Sequence, residues 1–209
     1  MTRKQVFSAI IISLIAFSLV PLLMWSNQWF TSKQNPQQYG IDGSFLSPLH
    51  FEWQDTQLNS QRFPFNEPTY TYVFAGFLSC SEICPIRIKQ LHQLEAVIAD
   101  DEQLSQQSIA FLFITIDPDN DTPQVRQQVI DAQSPRFFSA ALAESALFKL
   151  SSHLSENISS FSTTNNHVGK LFLIKPNGEI GRIYSAKKLS TDKMLAELKQ
   201  LIYSSKESP

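Results

Sequence analysis

Two long apolar segments on either side of a helical segment constrain the fold of this chain more than any other feature. Tyr70–Phe77 and Ile109–Ile116 are rich in aromatic and β-branched residues and carry no charge, which is typical of strands covered on both faces. Between them, from Pro85 to about Ala99, apolar residues recur at helical spacing. Because strand–helix–strand crossovers join parallel strands with right-handed geometry, the sequence predicts two parallel central strands.

The rest of the chain continues this alternation. Thr122 is a good N-cap and Pro123 suits a first helical position, which predicts a second helix there. Pro176-Asn177-Gly178 is a hairpin turn signal. The further predicted elements are a helix from Ala143 to about His153, strands over Val168–Ile174 and Glu179–Tyr184, and an amphipathic helix from Ser190 to about Ile202. This order predicts an α/β chain with a thioredoxin-like fold, in which a central mixed sheet is flanked by helices.

An apolar segment near the N-terminus predicts attachment to a membrane. Val6–Trp25 carries no charge and is long enough to cross a bilayer as a helix, while Arg3 and Lys4 before it favour a cytoplasmic N-terminus. A cleaved signal peptide is the alternative, although residues 24–28 lack a small-residue cleavage pattern. The predicted organisation is a single-pass anchor over residues 1–29, a polar linker over 30–40, and a thioredoxin-like domain over 41–205 in the periplasm or another extracytoplasmic space.

Charge and cysteine content narrow the possible functions. A net charge of −2 argues against a nucleic-acid partner, which requires a basic surface. The only two cysteines, Cys80 and Cys84, lie together directly after the first central strand, which is typical of a redox or metal site. An inactive local disulfide is the alternative, but so small a loop stabilises a fold little.

The chemistry of the cysteine pair depends on the helix that follows it. Pro85 suits the first turn of that helix, so we expect Cys84 near its N-cap, where free N–H groups and the helix dipole lower the pKa of a thiol.

His167 precedes a strand expected to run antiparallel to Tyr70–Phe77, so its ring is expected at the sheet edge that holds the sulfurs. Asp117 ends a strand at the same edge. Two thiolates and an imidazole favour copper over structural zinc.

Three sequence blocks contain the cysteines, Asp117 and His167, namely Phe74–Pro85 (FAGFLSCSEICP), Thr115–Pro123 (TIDPDNDTP), and Asn166-His167 with the following KPNGE at 175–179. Together these blocks resemble the Sco/SenC family of membrane-anchored, thioredoxin-like copper proteins. The resemblance extends from about Gly43 to Ile202 and implies a metallochaperone that helps to assemble the copper centre of cytochrome c oxidase. Its implied partner is the copper-centre subunit of the oxidase or another exported cuproprotein.

The resemblance also implies roles for individual residues. Cys80, Cys84 and His167 match the copper ligands of the family, in its Cu(I) or Cu(II) form, and Asp117 matches an acidic position that supports the site. Capping of its own loop is the alternative role of Asp117. Three positions depart from the family pattern, namely Ser81 for proline, Glu82 for aspartate and Asn166 for an acidic residue. The other histidines, His50, His92 and His153, are expected to be solvated or capping residues, and Asp119 and Asp121 of the second block are expected to be turn and capping residues.

Other functions remain open for the same cysteines, among them a non-enzymatic redox or copper sensor. A thiol–disulfide oxidoreductase would use Cys80 and Cys84 as a redox-active pair that can form a disulfide, reduce an exported partner and be restored by a thiol reductant, without His167. A peroxide-reducing enzyme would pass through a sulfenic acid. The residues around Cys80 do not match the peroxidase motif, so the peroxidase hypothesis is the least favoured.

Overall fold

Eight strands and four helices build the part of the chain described by this computed structural model, residues 38–156 and 169–206. The strands are β1 (Ile41–Asp42), β2 (Phe51–Gln54), β3 (Ser60–Phe63), β4 (Tyr70–Gly76), β5 (Ile109–Thr115), β6 (Phe137–Ala141), β7 (Leu171–Ile174) and β8 (Ile180–Tyr184). The helices are α1 (Ile83–Asp100), α2 (Pro123–Val129), α3 (Glu144–Leu154) and α4 (Thr191–Lys206), with a 3-10 turn over Asp131–Gln133. The predicted anchor, residues 30–37 of the predicted linker, and His167 lie outside the described residues. None of the described helices combines the length and apolar character needed to span a bilayer.

All eight strands form one mixed sheet in the order β1-β8-β7-β4-β5-β6-β2-β3. β4 and β5 are parallel neighbours, with Tyr70 opposite Ile109 and Gly76 opposite Thr115, which confirms the predicted strand–helix–strand unit. On its other side β4 pairs with β7 in the antiparallel direction, as predicted. The carboxyl ends of β4 and β5 and the chain entering β7 therefore meet at one edge of the sheet.

Successive side chains of β4 enter two apolar clusters, one on each face of the sheet. Tyr72 and Phe74 belong to the cluster that includes residues of α1 and α4, and the Tyr72 ring stacks on that of Phe111 with the centroids 5.5 Å apart. Val73 and Ala75 belong to the opposite cluster, which includes residues of α3. Both faces are thus covered, which explains the continuous apolar character of the central strands and confirms the thioredoxin-like α/β arrangement.

The predicted helix start and hairpin turn are both present. The Thr122 hydroxyl accepts a hydrogen bond from the Val125 N–H, and Pro123 is the first residue of α2. Gly178 has a φ of +87°, which only glycine adopts readily, and its N–H donates to the Lys175 carbonyl. Both the helix start and the turn could be predicted from the sequence because each depends only on neighbouring residues.

The structure corrects several element boundaries. α1 begins at Ile83 rather than Pro85, and β7 begins at Leu171 rather than Val168, which itself lies outside the described residues. β1, β2, β3 and β6 were not predicted. β1 has two residues, and β2 and β3 are largely exposed, so they lack the continuous apolar run that identifies a buried strand.

Candidate dithiol site

The two cysteines lie where β4 ends and α1 begins, and both are free thiols. β4 ends at Gly76, and an ideal Cβ there would lie 3.1 Å from the Cys84 sulfur and 2.8 Å from the Phe74 ring. A glycine at this position therefore lets the Cys84 sulfur approach the end of the strand. Each sulfur acts on the pKa of the other, so the fold brings the predicted pair together as free thiols.

Cys80 is half-buried and receives hydrogen bonds from the start of α1. The N-cap residue of α1, Glu82, makes no side-chain capping hydrogen bond. Burial by itself raises the pKa of Cys80, but backbone hydrogen bonds from Cys84, Glu82 and Ile83, with one from the Cys84 thiol, outweigh it and hold the pKa below its ordinary value. The Cys80 sulfur thus takes the place of a capping oxygen, and its thiolate is the stabilised one.

Cys84 lies within the first turn of α1, and only 1% of its surface is exposed. Its burial raises the pKa to about 12, although a backbone hydrogen bond from Phe77 acts in the opposite direction. The expectation that the pKa of Cys84 falls is therefore wrong, because the side chain turns from the helix N-terminus into the core. The N-terminal effect acts on Cys80 instead.

Asp121 is a buried acid that ties the cysteine loop to the end of β5. Both of its carboxylate oxygens lie 3.1 Å from the Leu78 N–H nitrogen, and the Thr115 hydroxyl donates to Oδ2 at 2.7 Å. Burial raises the pKa of Asp121, and its charge contributes to the raised pKa of Cys84. The sequence alone predicts a turn or capping role for Asp121. The signal that could have singled it out is its place, with Thr115, in the second block.

Asp117 lies at the predicted sheet edge and is 3% exposed. Its carboxylate accepts hydrogen bonds from the Asn120 side chain at 3.0 and 2.9 Å, and its N–H donates to the Thr115 hydroxyl. Its carbonyl accepts from the backbone N–H groups of Asn120 and Asp121. These contacts brace the loop between β5 and α2, which is the capping role kept as the alternative.

The described residues supply two of the three predicted copper ligands. Within residues 38–156 and 169–206, no group of three or more His, Cys, Asp or Glu side chains is arranged to hold a metal ion. Two adjacent thiols with one stabilised thiolate fit a soft monovalent ion such as Cu(I). The third predicted ligand, His167, lies outside the described residues, two positions before Gly169.

The other histidines lie away from this pair. His50 and His153 are exposed and line a separate cavity of about 350 Å³ between β2 and α3. His92 is half-buried, and its ring stacks on Phe137 with the centroids 4.9 Å apart.

Comparison with known proteins identifies the family. The sequence profile of the SCO1/SenC family matches residues 51–203. A SCO2-like protein of Rickettsia typhi is 34% identical over 65 residues, which cover 31% of this chain and 30% of that protein. The chain thus matches less than a third of the length of this curated relative.

Two solved structures share the fold. Arabidopsis thaliana ScoI with copper bound aligns with a TM-score of 0.60 and 16% identity, over 73% of this chain and 98% of that chain. BsSco, a member of the Sco family of cytochrome c oxidase assembly proteins in which a disulfide switch is described, aligns with a TM-score of 0.59 and 13% identity, over 78% and 95%. Because the family profile covers most of the sequence and the fold agrees, this protein belongs to the SCO1/SenC family.

Proposed function

We propose that this protein is an extracytoplasmic copper metallochaperone that assists assembly of the copper centre of cytochrome c oxidase. The observation that carries the proposal is the pair of adjacent free thiols at the end of β4 in a SCO1/SenC domain. ScoI of Arabidopsis thaliana is known with copper bound, and BsSco belongs to a family of oxidase assembly proteins. We infer the same cargo for this chain, with the copper-centre subunit of the oxidase or another exported cuproprotein as its client.

The proposed ligands are Cys80, Cys84 and His167. Thiolates select Cu(I), and an imidazole also suits Cu(II), so one donor set can hold both oxidation states. Cys80 offers a thiolate stabilised by helix N–H groups, whereas the raised pKa of Cys84 means that copper displaces a proton from it. Asp117 is proposed to support the site by bracing the loop after β5.

The experiment is a copper titration of the full chain, purified in detergent and reduced, against His167→Ala, Cys80→Ser and Cys84→Ser variants. We expect one copper ion per chain and a weaker, spectrally altered complex in each variant. His50→Ala is the matched control, because it removes an exposed histidine from another surface. Unchanged stoichiometry and spectrum in His167→Ala would reject the ligand set.

We further propose that residues 1–29 anchor the chain in the membrane, that residues 30–40 form a linker, and that the domain over residues 41–205 lies outside the cytoplasm. The uncharged run Val6–Trp25 and the preceding basic residues support it. A reporter enzyme that is active only outside the cytoplasm, fused after the last residue, is expected to be active and to stay with the membrane fraction after alkaline washing. Recovery of the fusion in the soluble extract would argue against an uncleaved anchor.

A second candidate function is reduction of an exported partner, and the unequal thiols favour it. The half-exposed Cys80 thiolate would attack a partner disulfide, forming a mixed disulfide and releasing one partner thiolate. The Cys84 sulfur would then attack Cys80, which leaves the partner reduced and an internal disulfide that a separate thiol reductant must reopen. Full disulfide reductase activity in His167→Ala, with no copper phenotype, would favour this function over metal transfer.

A further inference from the structure

A cavity of about 520 Å³ lies at the end of the sheet opposite the two cysteines. Its wall includes Ile109, the first residue of β5, and Phe138, the second residue of β6. Because β4, β5 and β6 are parallel, their first residues lie together at this end, and the cysteines follow the far end of β4. β4 has seven residues, so about 20 Å separate the two ends. The cavity falls within the range of about 300–1,000 Å³ that is usual for small-molecule sites.

Two aromatic rings supply much of the apolar wall of this cavity. Phe65 and Phe138 both line it, and their ring centroids lie 5.3 Å apart. Both side chains are half-buried, so each keeps some accessible surface. Ile109 and Pro135 add further apolar lining. Walls of this composition favour a ligand with an apolar body.

Arg136 is a cation that lines the same cavity without an acidic partner. It is half-buried, it lies just before β6, and it forms no salt bridge within the described residues. Its Nη2 donates to the Ser105 carbonyl at 2.9 Å, which holds the guanidinium in place. Its Nη1 is buried and has no hydrogen-bond partner among the described residues. Because a buried donor without a partner is costly, a ligand that brings an acceptor to Nη1 gains stabilisation there.

The unused part of the guanidinium indicates which acid group fits. Nη1 has two N–H groups, and Nη2 has one besides the N–H given to Ser105, so the fork can donate two parallel hydrogen bonds to one carboxylate. Glu67 also lines the cavity and adds a negative charge. Repulsion from this charge is stronger for a dianion such as a phosphate monoester than for a monoanion. The lining therefore favours a single carboxylate.

We propose that this cavity binds an organic monocarboxylate, with its acid group on Arg136 and an apolar body of about phenyl size against Phe65 and Phe138. The site is separate from the proposed copper site. None of its lining residues belongs to the cysteine loop or to α1.

The test is ligand-observed fluorine NMR on the full chain in detergent, with 4-fluorophenylacetate as the probe. 4-Fluorophenylacetamide has the same body without the charge, and protein-free micelles report binding to the detergent alone. We expect the acid to bind with a Kd on the order of 1 mM, as suits a ligand of about eleven non-hydrogen atoms. The amide should bind about tenfold more weakly or worse, because the charge-assisted pair of hydrogen bonds is lost.

Variants assign the binding to individual side chains. Arg136→Gln should abolish the preference for acid over amide, and Arg136→Lys should retain part of it, because the charge remains but the fork is lost. Glu67→Gln should strengthen binding of the acid severalfold and leave binding of the amide unchanged, since it removes only a repulsive charge. Arg62→Gln is the matched control and should bind the acid as wild type does, because Arg62 is exposed and pairs with Glu52 on the β2–β3 hairpin.

A carboxylate of this kind can belong to a small acid or to the C-terminus of a polypeptide. Displacement of the fluorinated probe by acetyl-glycyl-glycyl-phenylalanine distinguishes the two sources. Tighter binding of the peptide than of 4-fluorophenylacetate supports the site with a polypeptide C-terminus as its ligand, and weaker binding supports it with a small acid. In both cases Arg136→Gln is expected to weaken binding of the peptide.

Three results would overturn the proposal. They are equal affinity of wild type for the acid and the amide, an unchanged preference for the acid in Arg136→Gln, and no binding of the acid at about 20 mM, where a millimolar site is nearly full. The comparison of acid with amide uses wild type alone. The proposal therefore stays testable even if Arg136→Gln does not fold.

Discussion

Cys80 and Cys84 carry the same side chain in opposite surroundings. Cys80 is half-buried and faces the free N–H groups at the start of α1, whereas Cys84 is enclosed beneath the end of β4. Hydrogen bonds stabilise the first thiolate, and desolvation opposes the second. The pair therefore has one reactive sulfur and one protected sulfur.

Alkylation rates should reveal this asymmetry. Because only the thiolate reacts, the lowered pKa of Cys80 moves the midpoint of its rate profile to a lower pH than that of an unperturbed thiol. Cys84, with a pKa of about 12, should stay almost unmodified up to pH 9. Mass spectrometry of iodoacetamide-treated Cys84→Ser and Cys80→Ser chains measures the two rates separately. Equal rates at pH 8 would contradict the assignment.

Asp121 offers a second test at single-residue scale. Asp121→Ala leaves the Leu78 N–H and the Thr115 hydroxyl without their acceptor, so we expect a loss of about 1–3 kcal/mol in the free energy of unfolding. Asp121→Asn keeps an acceptor and removes the buried charge.

The pH dependence of Asp121→Asn follows from the sign of the shift. Because the folded pKa of Asp121 is raised, wild type loses stability as the pH rises from the unfolded pKa through the folded one. Relative to wild type, Asp121→Asn should therefore be more stable at pH 7 than at pH 3.5. Urea unfolding at both values measures the difference. A constant difference between the two proteins would show that this carboxyl does not titrate as its burial implies.

At the scale of secondary-structure elements, one buried carboxylate joins α4 to the sheet and to the chain before β1. Glu197 accepts hydrogen bonds from the Tyr39 and Gly40 N–H groups at 2.8 and 2.9 Å. It also pairs with Arg182 of β8 at 3.2 Å, and the two side chains are only 4% and 9% exposed. The carboxylate thus fixes the start of the folded domain against its last helix.

Removing Glu197 should be strongly destabilising. Glu197→Ala leaves the Arg182 guanidinium buried without its partner, for which we expect a loss of about 3–5 kcal/mol. Glu52→Ala is the matched control, because its ion pair with Arg62 is exposed and should contribute about 1 kcal/mol or less. Denaturant unfolding of both variants provides the comparison. Equal losses would show that burial does not decide the strength of these pairs.

At the scale of the whole molecule, the dithiol edge joins segments from across the chain. β4, α1, the loop after β5 and the chain entering β7 all meet there, so a ligand bound at this edge should stabilise the entire fold. Neither the cysteine loop nor β7 could form this site alone.

Copper should therefore raise the thermal stability of the reduced chain. At a free Cu(I) concentration 100 times Kd, linkage predicts about 2.7 kcal/mol, or roughly 5–10 °C in Tm for a domain of this size. Thermal scans under anaerobic conditions, with chelator-buffered Cu(I), measure the shift. Cys80→Ser should lose most of it and His50→Ala should retain it. A full shift in Cys80→Ser would place the ion elsewhere.

Much of the fold could be predicted because its signals are local. The apolar runs of β4 and β5, the Thr122–Pro123 helix start and the turn at Gly178 all fold as expected. The strands β1, β2 and β3, which lie at or next to the edges of the sheet, could not be predicted, because short and largely exposed strands take their conformation from their neighbours in the sheet. The hydrogen bonds of Arg87 to Gly169 and of Asp121 to Leu78 could not be predicted either, because these partners lie far apart in the sequence.

By itself the sequence determined the α/β class, the parallel central strands and the position of both cysteines at a strand end, since periodicity and spacing are properties of neighbouring residues. Only the tertiary structure decided which sulfur is exposed and which is enclosed, and it raised the pKa of Cys84, which the sequence predicts to fall. It also decided that Arg87 of α1 donates a hydrogen bond to the Gly169 carbonyl, which connects α1 to the chain before β7. The physical reason is that solvation and hydrogen bonding depend on the groups that packing brings together, and these come from segments remote from each other in the chain.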